Sequence, residues 1–201
     1  MKFTTRELVL LAVFGALWGV VEITLGSVLK SLNAPFSGVL LAAVGLTIVL
    51  TARIFVPKRG STLFVGVIAM LLKLFSLGGV IIGPMLGIFM EALLAEIALS
   101  GLGVSRTSLM LAGALAASWS MAQPFVTGPL LFGRALLDVW AGVIAKAAAA
   151  LHLPISAAWM VLALFLALHL LAGTVAGWTA WWLGRRLTQP SKSLYQEPLN
   201  H

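Results

Sequence analysis

The chain has 201 residues, of which 61% are hydrophobic and 9% are charged, and its mean hydropathy is +1.08. Soluble domains carry about 25% charged residues, so this composition excludes an ordinary soluble domain and predicts an integral membrane protein. The absence of cysteine excludes disulfides, thiolate catalysis and iron–sulfur ligation. The formal charge of +7 does not require nucleic acid as a partner, because basic residues of membrane proteins concentrate in cytoplasmic loops.

Apolar runs long enough to cross a hydrocarbon core of roughly 30 Å recur along almost the whole chain. They predict an all-α, polytopic membrane protein with a single domain over residues 1–187. Its six transmembrane helices are expected at residues 8–29, 36–56, 62–77, 80–99, 108–126 and 155–183. The third of these runs is short. Proline and glycine punctuate the breaks between them, and the polar residues 188–201 predict a disordered cytoplasmic tail.

The basic residues predict the orientation of the chain in the membrane. With a cytoplasmic N-terminus and six spans, both termini are cytoplasmic, and the basic residues on that side are Lys2, Arg6, Arg53, Lys58, Arg59, Arg106, Arg185, Arg186 and Lys192. The remaining four, which are then outside or buried, are Lys30, Lys73, Arg134 and Lys146. This excess on one side favours both termini in the cytoplasm.

The segment 130–151 is helix-prone but is interrupted by Arg134, Asp138 and Lys146. We therefore expect an amphipathic helix on the outer surface and not a seventh span. Arg134 and Asp138 are four residues apart, a spacing that predicts a solvated helical ion pair. The alternative is that these two residues gate an outer cavity.

Ionisable groups inside spans are costly unless they face the interior of a helix bundle or water, so they are candidate functional residues. With the polar aromatic and amide groups near them, the predicted substrate-binding residues are Glu22, Lys73, Glu91, Trp119, Gln123 and His169. In one cavity an indole would stack on a flat ring while the other groups orient its polar edge. Two alternatives remain open: Glu22 and Lys73 form a structural pair, and His169 is a core histidine bonded to a neighbouring helix.

Catalysis finds little support in the sequence. Glu91 and Glu96 are five residues apart and point about 140° away from each other on an ideal helix, which is unsuitable for a carboxylate pair. The three histidines lack metal-ligand spacing, so neither a metal nor a cofactor is expected, and no phosphate-binding loop for ATP is present. An intramembrane serine protease would use Ser118 with His169, but the chain lacks the Gly-x-Ser-x-Gly context around this serine.

The first predicted span also carries small residues at a spacing of four, Ala12 with Ala16 and Gly15 with Gly19. Small residues at this spacing let another helix approach closely. The neighbour is either another helix of the same chain or a partner protein, and the four residues are therefore candidate partner contacts.

These features resemble the substrate-binding S components of energy-coupling factor (ECF) transporters. The resemblance covers most of the chain: about 200 residues, six spans, the lead Arg6-Glu7 and the motif Ala12-x-x-x-Ala16. The run PKRGSTLFVGVIAMLLKLFSLGG, followed by GPMLGIFMEALLAEIAL, is similar to the hydroxymethylpyrimidine (thiamine-precursor) branch. Lys73 departs from that branch, where an acidic or neutral residue is expected.

The resemblance implies a high-affinity binding subunit for uptake of a vitamin or vitamin precursor, without covalent chemistry. It implies contact through Ala12 and Ala16 with a transmembrane coupling subunit, driven by cytoplasmic ATPases, and a toppling movement that releases substrate inward. Two other classes remain open. One is a self-contained channel, scaffold or intramembrane enzyme, and the other is a secondary transporter, for which the sequence shows no inverted repeat or pair of broken helices.

Overall fold

The computed structural model describes residues 2–34, 36–76 and 82–188. Within these ranges the chain is mostly helical and contains no strand, which confirms the all-α prediction. The helices in chain order are α1 (Thr5–Ser31), α2 (Ser37–Phe55), α3 (Ser61–Leu72), α4 (Ile82–Leu102), α5 (Arg106–Phe132), α6 (Leu136–Leu151) and α7 (Ala158–Thr188). Short 3-10 turns follow α3 at Lys73–Phe75 and precede α7 at Ile155–Ala157.

Five of the described helices, α1, α2, α4, α5 and α7, are long and apolar enough to cross a membrane, as in a multi-pass membrane protein. The third predicted span is shorter than expected. The 12 residues of α3 rise about 18 Å at 1.5 Å per residue, which is less than a hydrocarbon core. Leu77 of that predicted span, residues 80–81 of the next and the predicted tail from residue 189 lie outside the described residues.

A capping box begins α1. The backbone N–H of Thr4 donates to Glu7 Oε2 at 2.8 Å, and the backbone N–H of Glu7 donates to Thr4 Oγ1 at 3.3 Å. This exchange satisfies two of the amide groups that every helix start leaves without an intrahelical partner. Glu7 also forms an ion pair with Lys58 at 2.7 Å, which joins the start of α1 to the connection between α2 and α3.

Helices α1 to α5 and then α7 alternate in direction, so that Thr5 and Thr188 lie at the same end of the bundle. We call this the basic end, after Arg6, Lys58, Arg59, Arg106, Arg185 and Arg186. It also holds the end of α4, because Arg59 Nη2 donates to the carbonyl of Ser100 at 3.3 Å. The end of α7 joins it through Gly184, where an added Cβ would lie 2.6 Å from Ile54 Cδ1 of α2.

The closest helix contact is between α5 and α7, and it depends on glycine. A Cβ added at Gly173 would lie 2.8 Å from the Cα of Ala114, and one added at Gly177 would lie 2.7 Å from the Cα of Met110. Both neighbours are backbone atoms of α5 and cannot rotate away. Gly173 and Gly177 are four residues apart, so this is the small-residue contact typical of membrane helices.

Helix boundaries differ from the prediction around α5 and α6. The fifth span was expected to end at Val126, but α5 continues through Pro124 and Pro129 to Phe132. The amphipathic segment predicted for 130–151 consequently begins as a helix at Leu136, and α7 extends to Thr188, beyond the predicted end at Leu183. Proline disfavours a helix locally, but it is tolerated in membrane bundles where other groups satisfy the freed backbone.

Fully buried side chains fill the middle of the bundle between its two ends. The largest is Trp18 of α1, which lies against Gly45 of α2, where no side chain occupies the space. Other residues of this layer that are at most 1% exposed include Leu46, Val49 and Leu50 of α2 and Ala92 and Ala95 of α4. This layer separates the polar groups of the basic end from those of the opposite end.

Candidate functional site

Three adjoining cavities lie at the end of the bundle opposite the basic end, and Pro124 of α5 lines all of them. We call them together the Pro124 chamber. The floor cavity, of about 370 Å³, is lined by Glu22, Gly38, Leu41, Ala42, Pro84, Gly87, Ile88, Glu91, Ser120, Gln123, Pro124 and Thr127. The side cavity, of about 290 Å³, includes His169, Phe165, Phe36 and Lys146. The mouth cavity, of about 210 Å³, includes Arg134, Asp138, Phe132 and Lys146.

Proline in the middle of α5 changes the chemistry of the chamber wall. Pro124 has no backbone N–H, so the carbonyl of Ser120, four residues earlier, lacks its intrahelical donor. Ser120 itself lines both the floor and the side cavities. The chamber wall therefore includes a break in the backbone hydrogen bonding of α5.

The predicted pair of Glu22 and Lys73 is formed at the floor. Lys73 Nζ lies 3.3 Å from Glu22 Oε2 and donates to the backbone carbonyl of Glu22 at 2.7 Å. The two residues are 7% and 8% exposed, so the ion pair is shielded from solvent. Glu22 also lines the floor cavity, and it can therefore serve both the structural pair and a bound molecule.

Glu91 of α4 lies at the same floor and is 6% exposed. Ser120 Oγ of α5 donates to its Oε1 at 3.1 Å. No ion pair of the described residues includes Glu91, in contrast to Glu22. Glu91 is thus a buried carboxylate that faces an open cavity without a cation of the protein beside it.

Gln123 completes the polar part of the floor. Its Nε2 donates to the carbonyl of Gly83 at 2.7 Å, which joins α5 to the start of α4. A Cβ added at Gly87 would lie 2.8 Å from Gln123 Oε1, so glycine makes the space for this amide. The fixed Nε2 leaves Oε1 as the atom that a bound donor can reach.

His169 lines the side cavity and is buried. Its Nδ1 lies 2.7 Å from the carbonyl of Phe165, one turn earlier in α7. The alternative interpretation placed this bond on a neighbouring helix, and the structure corrects it to the histidine's own helix. The bond orients the ring, and the histidine stays in the wall of the chamber.

Trp119 lies outside the chamber. None of the three cavities of the chamber includes Trp119 among its lining residues, and its Nε1 is buried without a hydrogen-bond partner among the described residues. The expected stacking of this indole on a ligand is therefore corrected. Ser120 and Pro124, its near neighbours on α5, face the chamber instead, because a helix turns about 100° with each residue.

The two gating candidates are differently placed from the prediction. Arg134 lies in the connection between α5 and α6, so the expected helical spacing to Asp138 is not formed, and these two described residues make no ion pair. The guanidinium of Arg134 lies instead 5.8 Å from the ring of Phe132. Both residues still line the mouth cavity.

Helix α6 covers one side of the chamber and is held by aromatic contacts. Trp140 lies between Phe125 of α5 and Trp159 of α7, with ring centroids 6.1 and 5.9 Å apart. Gly133 before α6 and His152 after it both have positive φ angles, +61° and +56°. α6 also brings Lys146 to two of the cavities. The sequence had indicated only that this lysine interrupts an apolar segment.

The small residues of α1 divide between two surfaces. A Cβ added at Gly15 would lie 2.7 Å from Ile68 Cβ, and one added at Gly19 would lie 2.7 Å from Leu72 Cδ1, so both glycines serve the internal contact with α3. They are buried and offer no surface to a partner, which corrects that part of the prediction. Ala12 is half-buried and Ala16 is exposed, so this pair remains on the surface of the bundle.

Glu96 belongs to a separate buried network near the basic end. It forms an ion pair with Arg53 of α2 at 3.1 Å and accepts hydrogen bonds from the backbone N–H of Gly60 at 2.7 Å and from Ser100 Oγ at 2.6 Å. Thr62 and Arg53 make further bonds within the network. Glu91 and Glu96 therefore have different neighbours at different levels of α4, and the described residues hold no cluster of three potential metal ligands.

Comparison with known proteins yields no relative. No protein-family model, no curated protein and no solved structure matches the chain. The Pro124 chamber, with its buried carboxylates and its polar mouth, is accordingly the feature from which function is argued.

Proposed function

We propose that the protein is a membrane-embedded binding subunit that captures a vitamin-like small molecule in the Pro124 chamber. In this proposal it has six spans, with α3 as the short one, and both termini lie in the cytoplasm of a prokaryotic cell. The observation that carries the proposal is the chamber itself. Its floor cavity falls in the range of about 300–1,000 Å³ that is usual for small-molecule sites. Groups such as Glu22, Glu91 and His169 line cavities in helices that are otherwise apolar, which is a mark of function in membrane proteins.

The buried layer below the chamber favours a binding subunit and argues against an open channel. Leu46, Leu50, Ala92 and Ala95 are at most 1% exposed and lie between the chamber and the Arg53–Glu96 network. A molecule bound at Glu91 would have to cross this packed layer to leave at the basic end. Release on that side therefore requires a movement of the whole bundle, and a partner can supply the energy for it.

The surface of α1 supports a site for that partner. Ala16 is exposed and Ala12 is half-buried, whereas the glycines of the same helix are used internally. A helix of a transmembrane coupling subunit could approach closely at these two alanines. In the proposed system this subunit is driven by cytoplasmic ATPases, and the chain itself carries out no covalent chemistry.

The proposal is tested with the double variant Ala12→Trp/Ala16→Trp. Uptake by cells that also express the coupling partners should be lost, while small-molecule binding by the purified variant should stay unchanged. Leu111→Trp is the matched control, because Leu111 is exposed on α5, away from α1. Uptake by the double variant at the level of this control would contradict the coupling role of α1.

One observation favours a second candidate, a self-contained secondary transporter. Pro124 and Pro129 interrupt the hydrogen bonding of α5 at the chamber, and interrupted helices line the sites of many secondary transporters. Proteoliposomes that contain only this chain separate the two candidates. Accumulation driven by an ion gradient without partners or ATP supports the second, and binding without transport supports the first.

A further inference from the structure

Charged groups are distributed unevenly along the Pro124 chamber. The two acidic residues of the floor, Glu22 and Glu91, come from α1 and α4. The mouth and side cavities carry Lys146 of α6, which lines both, and the mouth adds Arg134 and Asp138. The chamber is therefore acidic at its buried end and basic at its open end.

The floor holds a carboxyl group that the described residues do not pair with a cation. Lys73 neutralises Glu22 at 3.3 Å, but no cation of the described chain lies within ion-pair distance of Glu91. Among the described residues Ser120 alone donates a hydrogen bond to it, and apolar Ile88 and Leu41 line the same cavity. The ionised form of a carboxyl group is costly when it is buried without a partner. A cationic nitrogen at this position would favour that form and make a charge-assisted hydrogen bond with it.

The mouth cavity carries an excess of positive charge. Asp138 offsets one of the two cations there, which leaves a net charge of +1 among Arg134, Lys146 and Asp138. Lys146 is exposed and forms no ion pair with the other described residues, so its ammonium is available to an anion at the entrance. Because it lines both the mouth and the side cavity, it can reach a molecule that extends up from the floor.

We infer that the molecule bound in the Pro124 chamber is a zwitterion, with its cationic nitrogen at Glu91 and its anionic group at Lys146. This inference rests on the proposed function and narrows it to one class of substrate. A neutral molecule offers neither Glu91 nor Lys146 an ionic partner, and a singly charged molecule offers a partner to only one of them. Oε1 of Gln123 is the acceptor for a further N–H or O–H group of the molecule.

The test uses four fractions of yeast extract as probes, sorted by ion exchange. Zwitterions that combine a weak acid with a weak base are retained by a cation exchanger at acid pH and by an anion exchanger at alkaline pH. Singly charged molecules are retained by one exchanger only, and neutral molecules by neither. Each fraction is added to the purified protein, and the melting temperature is read from tryptophan fluorescence. The zwitterionic fraction should raise it by about 5–10 °C once its active component is well above Kd.

Two variants locate the charges. Glu91→Gln should lose the rise with the zwitterionic fraction and respond best to the anionic one, and Lys146→Gln should respond best to the cationic one. Arg106→Gln, which removes an exposed cation at the basic end, should respond like the wild type. Melting temperatures without additive, near the wild-type value, show that the variants are folded.

The outcomes separate this inference from the proposed function. A rise with the neutral or a singly charged fraction alone contradicts the zwitterion and leaves small-molecule capture standing. A rise with the zwitterionic fraction that survives both substitutions contradicts the assigned positions. No rise with any fraction contradicts the zwitterion and the proposed function together.

Discussion

Replacing Lys73 with methionine removes the cation that faces Glu22 and leaves a buried carboxylate without its partner. Lys73 Nζ makes two contacts with Glu22, at 2.7 Å to the backbone carbonyl and at 3.3 Å to the side chain. Each side chain is at most 10% exposed, so water cannot replace the lost ammonium. Breaking a buried pair from one side costs about 3–5 kcal/mol, and we expect Lys73→Met to lose free energy of unfolding in this range.

The double variant Glu22→Met/Lys73→Met separates the cost of the unpaired charge from a general loss of packing. It removes both charges with side chains of similar length, and such replacements are commonly neutral or stabilising. We therefore expect it to be more stable than Lys73→Met alone. Lys146→Met is the matched control, because this exposed lysine should change the free energy of unfolding by less than about 0.5 kcal/mol.

The assay is reversible unfolding by sodium dodecyl sulfate in mixed micelles, without added small molecules and followed by tryptophan fluorescence. The free energies of unfolding of the wild type, Glu22→Met, Lys73→Met and the double variant form a double-mutant cycle. A Lys73→Met variant as stable as the wild type would refute the reasoning. So would a double variant whose loss equals the sum of the two single losses, because the pair would then carry no interaction energy.

Three further substitutions test contacts elsewhere in the bundle. Gly173→Leu should prevent α5 and α7 from meeting at backbone distance and abolish the folded peak in size-exclusion chromatography; a normal peak contradicts the contact. Gly87→Val should push Gln123 aside and weaken small-molecule binding at least about tenfold, while melting within a few degrees of the wild type; undiminished affinity contradicts the place of Gln123 at the floor. Glu96→Gln should leave Arg53 unpaired and cost about 3–5 kcal/mol in the same unfolding assay; an unchanged stability contradicts the network.

The helical architecture could be predicted from the sequence because apolar runs are long and uninterrupted over most spans. The Glu22–Lys73 pair was foreseeable for a related reason. Both groups fall in apolar segments on the same side of the predicted topology, and each is costly there without the other. The grouping of Glu22, Glu91 and Gln123 at one cavity likewise follows from their similar depths in three helices.

Other features depend on tertiary structure that local sequence does not carry. Pro124 and Pro129 signal the end of a helix by their own chemistry, yet α5 continues through both. The direction of Trp119 differs from that of Ser120 by only one residue's turn, which a span boundary uncertain by several residues cannot resolve. Arg53 and Glu96 are 43 residues apart, and no local pattern links them.

A second pair of small residues at a spacing of four is present in the last helix, α7. Gly173 and Gly177 have the same spacing of four as the small residues of α1, and they form the backbone contact with α5. The sequence offered Gly15 and Gly19 of α1 as contacts for a partner protein. In the structure α3 of the same chain occupies the position next to them. Small-residue spacing therefore identifies a close helix contact, but it does not show whether the neighbouring helix belongs to the same chain.

The central claim is that the Pro124 chamber binds a small molecule, and native mass spectrometry of the purified protein tests it most directly. We expect the wild-type protein to retain a small-molecule adduct, and we expect Glu91→Gln to be purified without it. Arg106→Gln, whose substitution lies at the basic end, should retain the same adduct as the wild type. A wild-type protein that carries no adduct, even after incubation with yeast extract, or an adduct that Glu91→Gln retains in full, would contradict the assignment of this chamber.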